Sequence, residues 1–214
     1  GIWLATERDL KNNDQWLYFA WERNAKKGRG FIALEFQKAA PPAACRQAYS
    51  DLDVVAGSNA SAVRSCRPWA GRSAGDFILL WNQNGSSLAI FKRVFRASGR
   101  TLVLGPPVAV DSADAAIEGT GFKGEVAINM TRDVFGGHAC TTFGNVIPST
   151  VSGDAEAEDY LDVVLARFPP LSNCGTLVVT HGAESTDIAL PVEGFRYFLE
   201  RASGEPIQQT TPVT

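Results

Sequence analysis

Four carboxylates fall on strand-like segments of this chain: Glu22, Glu35, Asp76 and Glu125. Two carboxyl groups held at a set separation across a sheet are what glycoside hydrolysis requires, one acting as acid and the other as base or nucleophile. The same four residues serve equally well as the polar face of a sheet, or as ion-pair partners of Arg23, Arg93 and Arg96. Nothing in their spacing selects a pair, so they read as structural. Nucleophilic hydrolysis would need a base poised near neutral pH. The only histidines are His138 and His181, neither in a recognisable motif, and Gly136-Gly137-His138 reads as a turn beside Cys140. No catalytic residue is assigned, and the chain reads as a module that is not an enzyme.

The aromatic residues say more. The chain has five tryptophans, Trp3, Trp16, Trp21, Trp69 and Trp81, and an exposed indole face is a surface on which a sugar ring can stack. Trp69, in a loop between Arg67-Pro68 and Gly71-Arg72, is the best single platform, with Trp81, Asn82 and Gln83 as further ligand-binding residues. Trp16 and Trp21 have opposite parity in one strand, so they point to opposite faces; one is then either covered or exposed.

Asp51 and Asp53, followed by Asn59, offer oxygen ligands that a calcium ion would accept, although their spacing is not that of an EF-hand loop. No other cofactor is expected. Acceptor sequons for glycosylation occur at Asn59, Asn84 and Asn129. The four cysteines, Cys45, Cys66, Cys140 and Cys174, include no C-x-x-C pair, so disulfides are a better reading than zinc. Of the three connectivities, Cys45 with Cys66 and Cys140 with Cys174 is favoured, because each bond would close a loop between neighbouring strands. Disulfides place the chain in an oxidising, extracellular compartment.

The elements that would position these residues are mostly strands. Period-two alternation runs through Trp16–Trp21, Gly30–Gln37, Phe77–Trp81, Leu88–Phe95, Thr101–Leu104, Gly124–Met130 and Thr141–Ile147. Asn24–Gly28 reads as a hairpin turn joining the first two, and Asn84-Gly85 as a tight turn joining the next pair. One helix is expected near 154–168, where Ala157, Leu161, Val164, Leu165 and Phe168 recur at three-to-four spacing behind acidic Asp154, Glu156 and Glu158. The expected fold is therefore all-β, an antiparallel β-sandwich of jelly-roll or immunoglobulin-like type with that one short helix. It would occupy residues 1–174. Residues 175–214 would form a hairpin from Thr176–Thr180 and Gly194–Arg201 with a polar tail, or the truncated start of a further module.

At 214 residues, 45% hydrophobic and 20% charged, the chain can bury a real core. A net charge of -3, with only Lys26, Lys27 and Arg29 clustered, gives no footprint for nucleic acid. No run reaches the roughly 18 apolar residues of a spanning helix.

Several segments, taken in order, carry a family resemblance: Trp16-Leu-Tyr-Phe-Ala-Trp-Glu-Arg23, Leu34-Glu-Phe-Gln37, Gly75-Asp-Phe-Ile-Leu79, Gly124-Glu-Val-Ala-Ile-Asn-Met-Thr131, Cys140-Thr-Thr-Phe-Gly144 and Leu171-Ser-Asn-Cys-Gly175. The succession resembles secreted and cell-surface proteins of Gram-positive bacteria in which a large β domain precedes prealbumin-like (Cna B-type) repeats. It is also similar to the β-sandwiches of family 9 carbohydrate-binding modules and DOMON-type domains. The resemblance implies a non-catalytic structural or adhesive module of a bacterial surface protein. Its partners would be other surface subunits or copies of itself, and the alternative is a carbohydrate-binding module. The family's usual opening strand is not recognised before Gly1, which leaves an edge for strand addition, with the Gly204–Thr214 tail as the strand that a neighbouring subunit would receive. His181 stands where the repeats often carry a cross-linking Lys, so an isopeptide bond is not expected there.

Overall fold

The computed structural model describes residues 1–9, 11–23, 30–48, 60–83, 87–136, 140–152, 160–165, 168–174, 196–200 and 206–210. The chain divides into two compact units, Gly1–Gly175 and Thr176–Thr214.

The first unit is built from two antiparallel sheets. One has four strands in the order β1 (Ile2–Arg8), β2 (Gln15–Glu22), β9 (Lys123–Asn129) and β8 (Asp114–Ile117). The other has seven. Its path runs β12 (Tyr160–Val163), β11 (Asn145–Ser152), β3 (Gly30–Gln37), β4 (Phe77–Asn82), β5 (Ile90–Ser98) and β6 (Thr101–Leu104), and β7 (Val108–Ala109) also pairs with β5. A two-stranded ladder joins β10 (Thr142–Phe143) to β13 (Leu171–Ser172).

The alternation anticipated in the sequence decides which side chains meet. Leu17, Phe19 and Trp21 of β2, with Val126 and Ile128 of β9, share one buried cluster with Ile32, Leu34 and Phe36 of β3 and Phe77, Leu79 and Trp81 of β4. Trp81 joins the sheets, its ring 5.6 Å from Trp21 and 6.4 Å from Phe19, both edge-on. The all-β, sandwich-like expectation therefore holds. The disulfides Cys45–Cys66 and Cys140–Cys174 are both present, with Cα separations of 4.7 Å.

Three expectations need correction. Strands β2 and β3 do not form a hairpin: β2 pairs with β1 and β9, and β3 with β4 and β11, so residues 24–29 connect the two sheets. The helix expected near 154–168 is not formed where the chain is described, because Tyr160–Val163 is strand β12, paired with Ser149–Val151 of β11. Leu161, Val164 and Leu165 fit either period over so short a stretch, and the free edge of β11 decides the outcome. An opening strand is also present. It is β1, in register with β2 from Ile2↔Trp21 to Arg8↔Gln15. In the second unit, β14 (Arg196–Glu200) pairs antiparallel with β15 (Pro206–Thr210), so this part of the tail finds a partner within its own chain. Thr176–Thr180 and His181 lie outside the described residues.

The middle of the seven-stranded sheet is buried on both faces. All of Phe31–Gln37 is buried, as is Phe77–Trp81, and the face away from the main core gathers Phe31, Ala33, Ile78, Leu80, Phe95 and Val151. Part of the cover over that side comes from the short helices α1 (Ala43–Ala48) and α2 (Ala60–Cys66), cross-linked by Cys45–Cys66, and a 3-10 turn at Pro68–Gly71. The disulfide is itself buried against Leu165.

Glu35 lies on that second face and is 1% exposed. Arg72, directly after the 3-10 turn, donates two hydrogen bonds to it, Nε to Oε1 at 2.7 Å and Nη2 to Oε2 at 2.6 Å. Gln37 Nε2 donates to Glu35 Oε1 at 2.7 Å, and Asn145 Nδ2 donates to Gln37 Oε1 at 3.1 Å. The guanidinium also lies 4.9 Å from the Phe95 ring centre and 5.7 Å from that of Trp69.

A bidentate, hydrogen-bonded pair of this kind is costly to break from one side, since the remaining charge stays buried. Arg72→Ala should therefore lower the unfolding free energy by about 3 kcal/mol, whereas Arg72→Met combined with Glu35→Leu should cost far less; urea denaturation of both variants checks this. In the main core, Gly124 faces Trp21 across the β2–β9 ladder, and a Cβ there would sit 2.6 Å from the indole. Gly124→Ala should cost about 1–3 kcal/mol by overpacking, read from the same denaturation curves.

Candidate functional site

The four carboxylates weighed as a hydrolytic pair are divided between the two sheets: Glu22 and Glu125 lie on β2 and β9, Glu35 on β3 and Asp76 directly before β4. Glu35 is consumed by Arg72. Asp76 is fully buried and accepts from Lys38 N at 3.0 Å, Ser73 N at 2.6 Å and Ser73 Oγ at 3.2 Å, so it organises a turn. Glu22 is exposed, 3.7 Å from Lys123 Nζ. Arg23 donates to the backbone carbonyl of Gly121, and Arg93 to that of Gly105. Among the described residues, no group of three or more His, Cys, Asp or Glu side chains could hold a metal. Asp51, Asp53, Asn59, Asn84 and His138 lie outside those residues.

The expected ligand-binding residues are not brought together on an open surface. Trp81 is a core residue, 1% exposed, because β4 is covered on both faces. Gln83 is buried and Asn82 half-buried at the end of the same strand. Trp69 is half-buried in the 3-10 turn, with Arg72 against its ring. It belongs to the cover over Glu35. The sequon residue Asn129 is buried as well. Its Nδ2 donates to Asp14 Oδ2 at 2.7 Å, and its Oδ1 accepts from Arg132 N at 3.0 Å, capping the one-turn helix α3 (Met130–Asp133). The atom a glycan would be attached to, Nδ2, is thus engaged with Asp14 inside the fold.

The open surface is elsewhere. Since Leu17, Phe19 and Trp21 point into the core, Trp16, Tyr18 and Ala20 of β2 must point outward. The ladder registers then set two rows across the outer face of the four-stranded sheet. One row is Trp3, Ala20, Glu125 and Ala116; the next is Ala5, Tyr18, Ala127 and Asp114. Large and small side chains alternate in both directions, so each large group is flanked by alanines. Trp3 and Tyr18 are diagonal neighbours, about 7–8 Å apart along such a ladder and within reach of one ligand. Trp3 is 56% and Tyr18 40% exposed.

The alanines form the floor of a shallow groove of about 620 Å³ over these rows. It adjoins a second depression of about 460 Å³ that shares Trp3, Ala20, Ala116 and Glu125. The wet face of a sandwich is ordinarily polar. A face of alanines with two exposed aromatic rings is the kind of contiguous apolar surface that marks a binding site.

The groove is chemically two-sided. Its β1–β2 half carries the rings, and its β9–β8 half carries Glu125 and Asp114. Among the described residues, neither of these carboxylates has a hydrogen-bond or ion-pair partner. On the aromatic side, Tyr18 Oη donates to Glu7 Oε2 at 3.3 Å. The phenol is held above its ordinary pKa of 10.0, first by desolvation, then by repulsion from Glu7, the hydrogen bond to it, and the charge of Asp9. Tyr18 thus remains a neutral ring with a hydroxyl throughout the physiological range.

The sequence pointed to this face only in part. It gave the opposite parity of Trp16 and Trp21, and the structure places Trp21 in the core and Trp16 half-buried on the outside. The missed signal is that β2 is apolar on both alternations. A strand at the surface with no polar face is either covered or a binding surface. Replacing Glu7 by Gln should bring the Tyr18 ionisation down towards its ordinary value, as followed by the difference in ultraviolet absorbance between each protein and its Tyr18→Phe counterpart. An unmoved titration would mean that Glu7 has no influence on the ring.

No protein-family model matches the chain, nor does any curated protein or solved structure.

Proposed function

We propose that this chain is a non-catalytic, extracellular glycan-binding module of a bacterial surface protein, and that a sugar chain lies across the outer face of β1, β2, β9 and β8. The observation that carries this reading is the open groove with Trp3 and Tyr18 above an alanine floor. Pyranose rings present an apolar C–H face that stacks on indole and phenol rings, while their hydroxyls hydrogen-bond to carboxylates at the side. The extracellular assignment is supported by the two disulfides. No helix among the described residues is long and apolar enough to cross a membrane. Adhesion, the role implied by the resemblance to cell-surface β domains, is compatible with binding of this kind.

A second reading, assembly by strand addition, has one observation in its favour. Strand β1 is seven residues long and, among the described residues, pairs on one side only, with β2, and a long edge of this type accepts a further strand. Light scattering separates the two: concentration-dependent oligomers abolished by a proline within β1 would favour assembly.

For the glycan reading, a soluble oligosaccharide panel titrated against the protein should give at least one ligand whose affinity falls about tenfold on Trp3→Ala, a loss of about 1.4 kcal/mol. Because the side chain is largely exposed, the unfolding midpoint should hardly move. A panel without any binder, or affinities unchanged by Trp3→Ala and by Tyr18→Ala, would reject the reading.

A further inference from the structure

Resting on the glycan reading, we infer that the groove selects sugars bearing a free ammonium group, such as β-1,4-linked glucosamine, over their N-acetylated or acidic counterparts. The inference comes from how charge is distributed across the two rows. Trp3 and Glu125 are separated in their row by Ala20 alone, and Tyr18 and Asp114 in theirs by Ala127 alone. Each aromatic ring therefore faces a carboxylate across a single alanine. Two strand spacings, about 10 Å, separate the two backbones.

A sugar ring stacked on Trp3 or Tyr18 would present its equatorial substituents towards β9 and β8, where Glu125 and Asp114 have no cation of their own among the described residues. An ammonium substituent there meets an opposite charge; an acetamide meets none, and a carboxylate is repelled. The rings act in the same sense, since the face of an aromatic ring attracts cations. The charges around the groove reinforce the preference. Glu7 and Glu22 share the outer face with Trp3 and Tyr18; of the cations nearby, Lys123 is already beside Glu22 and the Gly1 ammonium donates to the Glu22 carbonyl.

Exposed ion pairs are individually weak, so the selectivity should be modest and sensitive to salt. Calorimetric titration of the full chain with three tetrasaccharides tests it: glucosamine, N-acetylglucosamine and galacturonic acid. The expected order is glucosamine about fivefold tighter than N-acetylglucosamine, with no binding of galacturonate. Glu125→Gln should weaken glucosamine more than N-acetylglucosamine and so bring the two affinities close together, while Trp3→Ala weakens both. Equal or reversed affinities, an unaffected preference in Glu125→Gln, or binding of other neutral glycans without the amino sugar would overturn the inference and leave the glycan reading standing. An absence of binding to these three and to every neutral glycan of the panel would reject the glycan reading itself.

Discussion

The ion pair between Glu35 and Arg72 determines what the rest of the molecule can do. Glu35 sits mid-strand on a face it shares with Phe31, Ala33, Ile78 and Leu80. A carboxylate buried there is tolerable only if the cover over it brings a cation with matching geometry. Arg72 does so from the turn that follows the disulfide-linked helices, with two hydrogen bonds to the carboxylate and its flat guanidinium near Phe95 and Trp69. Gln37 and Asn145 extend the chain of bonds along the sheet. The pair thereby fixes where the cover sits, which apolar contacts alone would specify less strictly.

The consequence is a division of labour between the sheets. With one face on the main core and the other under the helices, the middle of the seven-stranded sheet has no surface to offer a ligand. Trp81, the most suggestive aromatic of β4, becomes a packing element at 1% exposure. The four-stranded sheet has one covered face and one open one. On the open face the register places alanines between Trp3, Tyr18, Glu125 and Asp114, so the surface is recessed between its functional groups and offers a ligand an aromatic side and an acidic side.

Much of the fold was legible because strand parity is a local property. The alternations in β2, β3, β4 and β9 identified most core residues, and the cysteine pairs followed from the loops they close. What was not legible depends on pairing. The sequence Asn24–Gly28 reads as a hairpin turn, yet β2 finds its partners in β1 and β9, and only tertiary packing distinguishes a hairpin from a crossing between sheets. Tyr160–Val163 can satisfy a helical or an extended pattern, and the unpaired edge of β11 selects the second. The groove was least visible, since its members come from strands widely separated in sequence and the alternation of large and small groups exists only once β1, β2, β9 and β8 are in register. Trp69 attracted attention as an aromatic in a loop, but its neighbour Arg72 was needed to satisfy Glu35, and that relation crosses from the cover to the sheet.

The central claim is that ligand binding belongs to the open face of the four-stranded sheet and not to the cover around Trp69. Backbone amide shifts recorded by nuclear magnetic resonance during titration with a glucosamine tetrasaccharide test it most directly. The account predicts saturable shifts concentrated on Trp3–Ala5, Tyr18–Ala20, Asp114–Ala116 and Glu125–Ala127, with Arg67–Arg72 undisturbed. Shifts centred on Arg67–Arg72, or scattered without saturation, would contradict it.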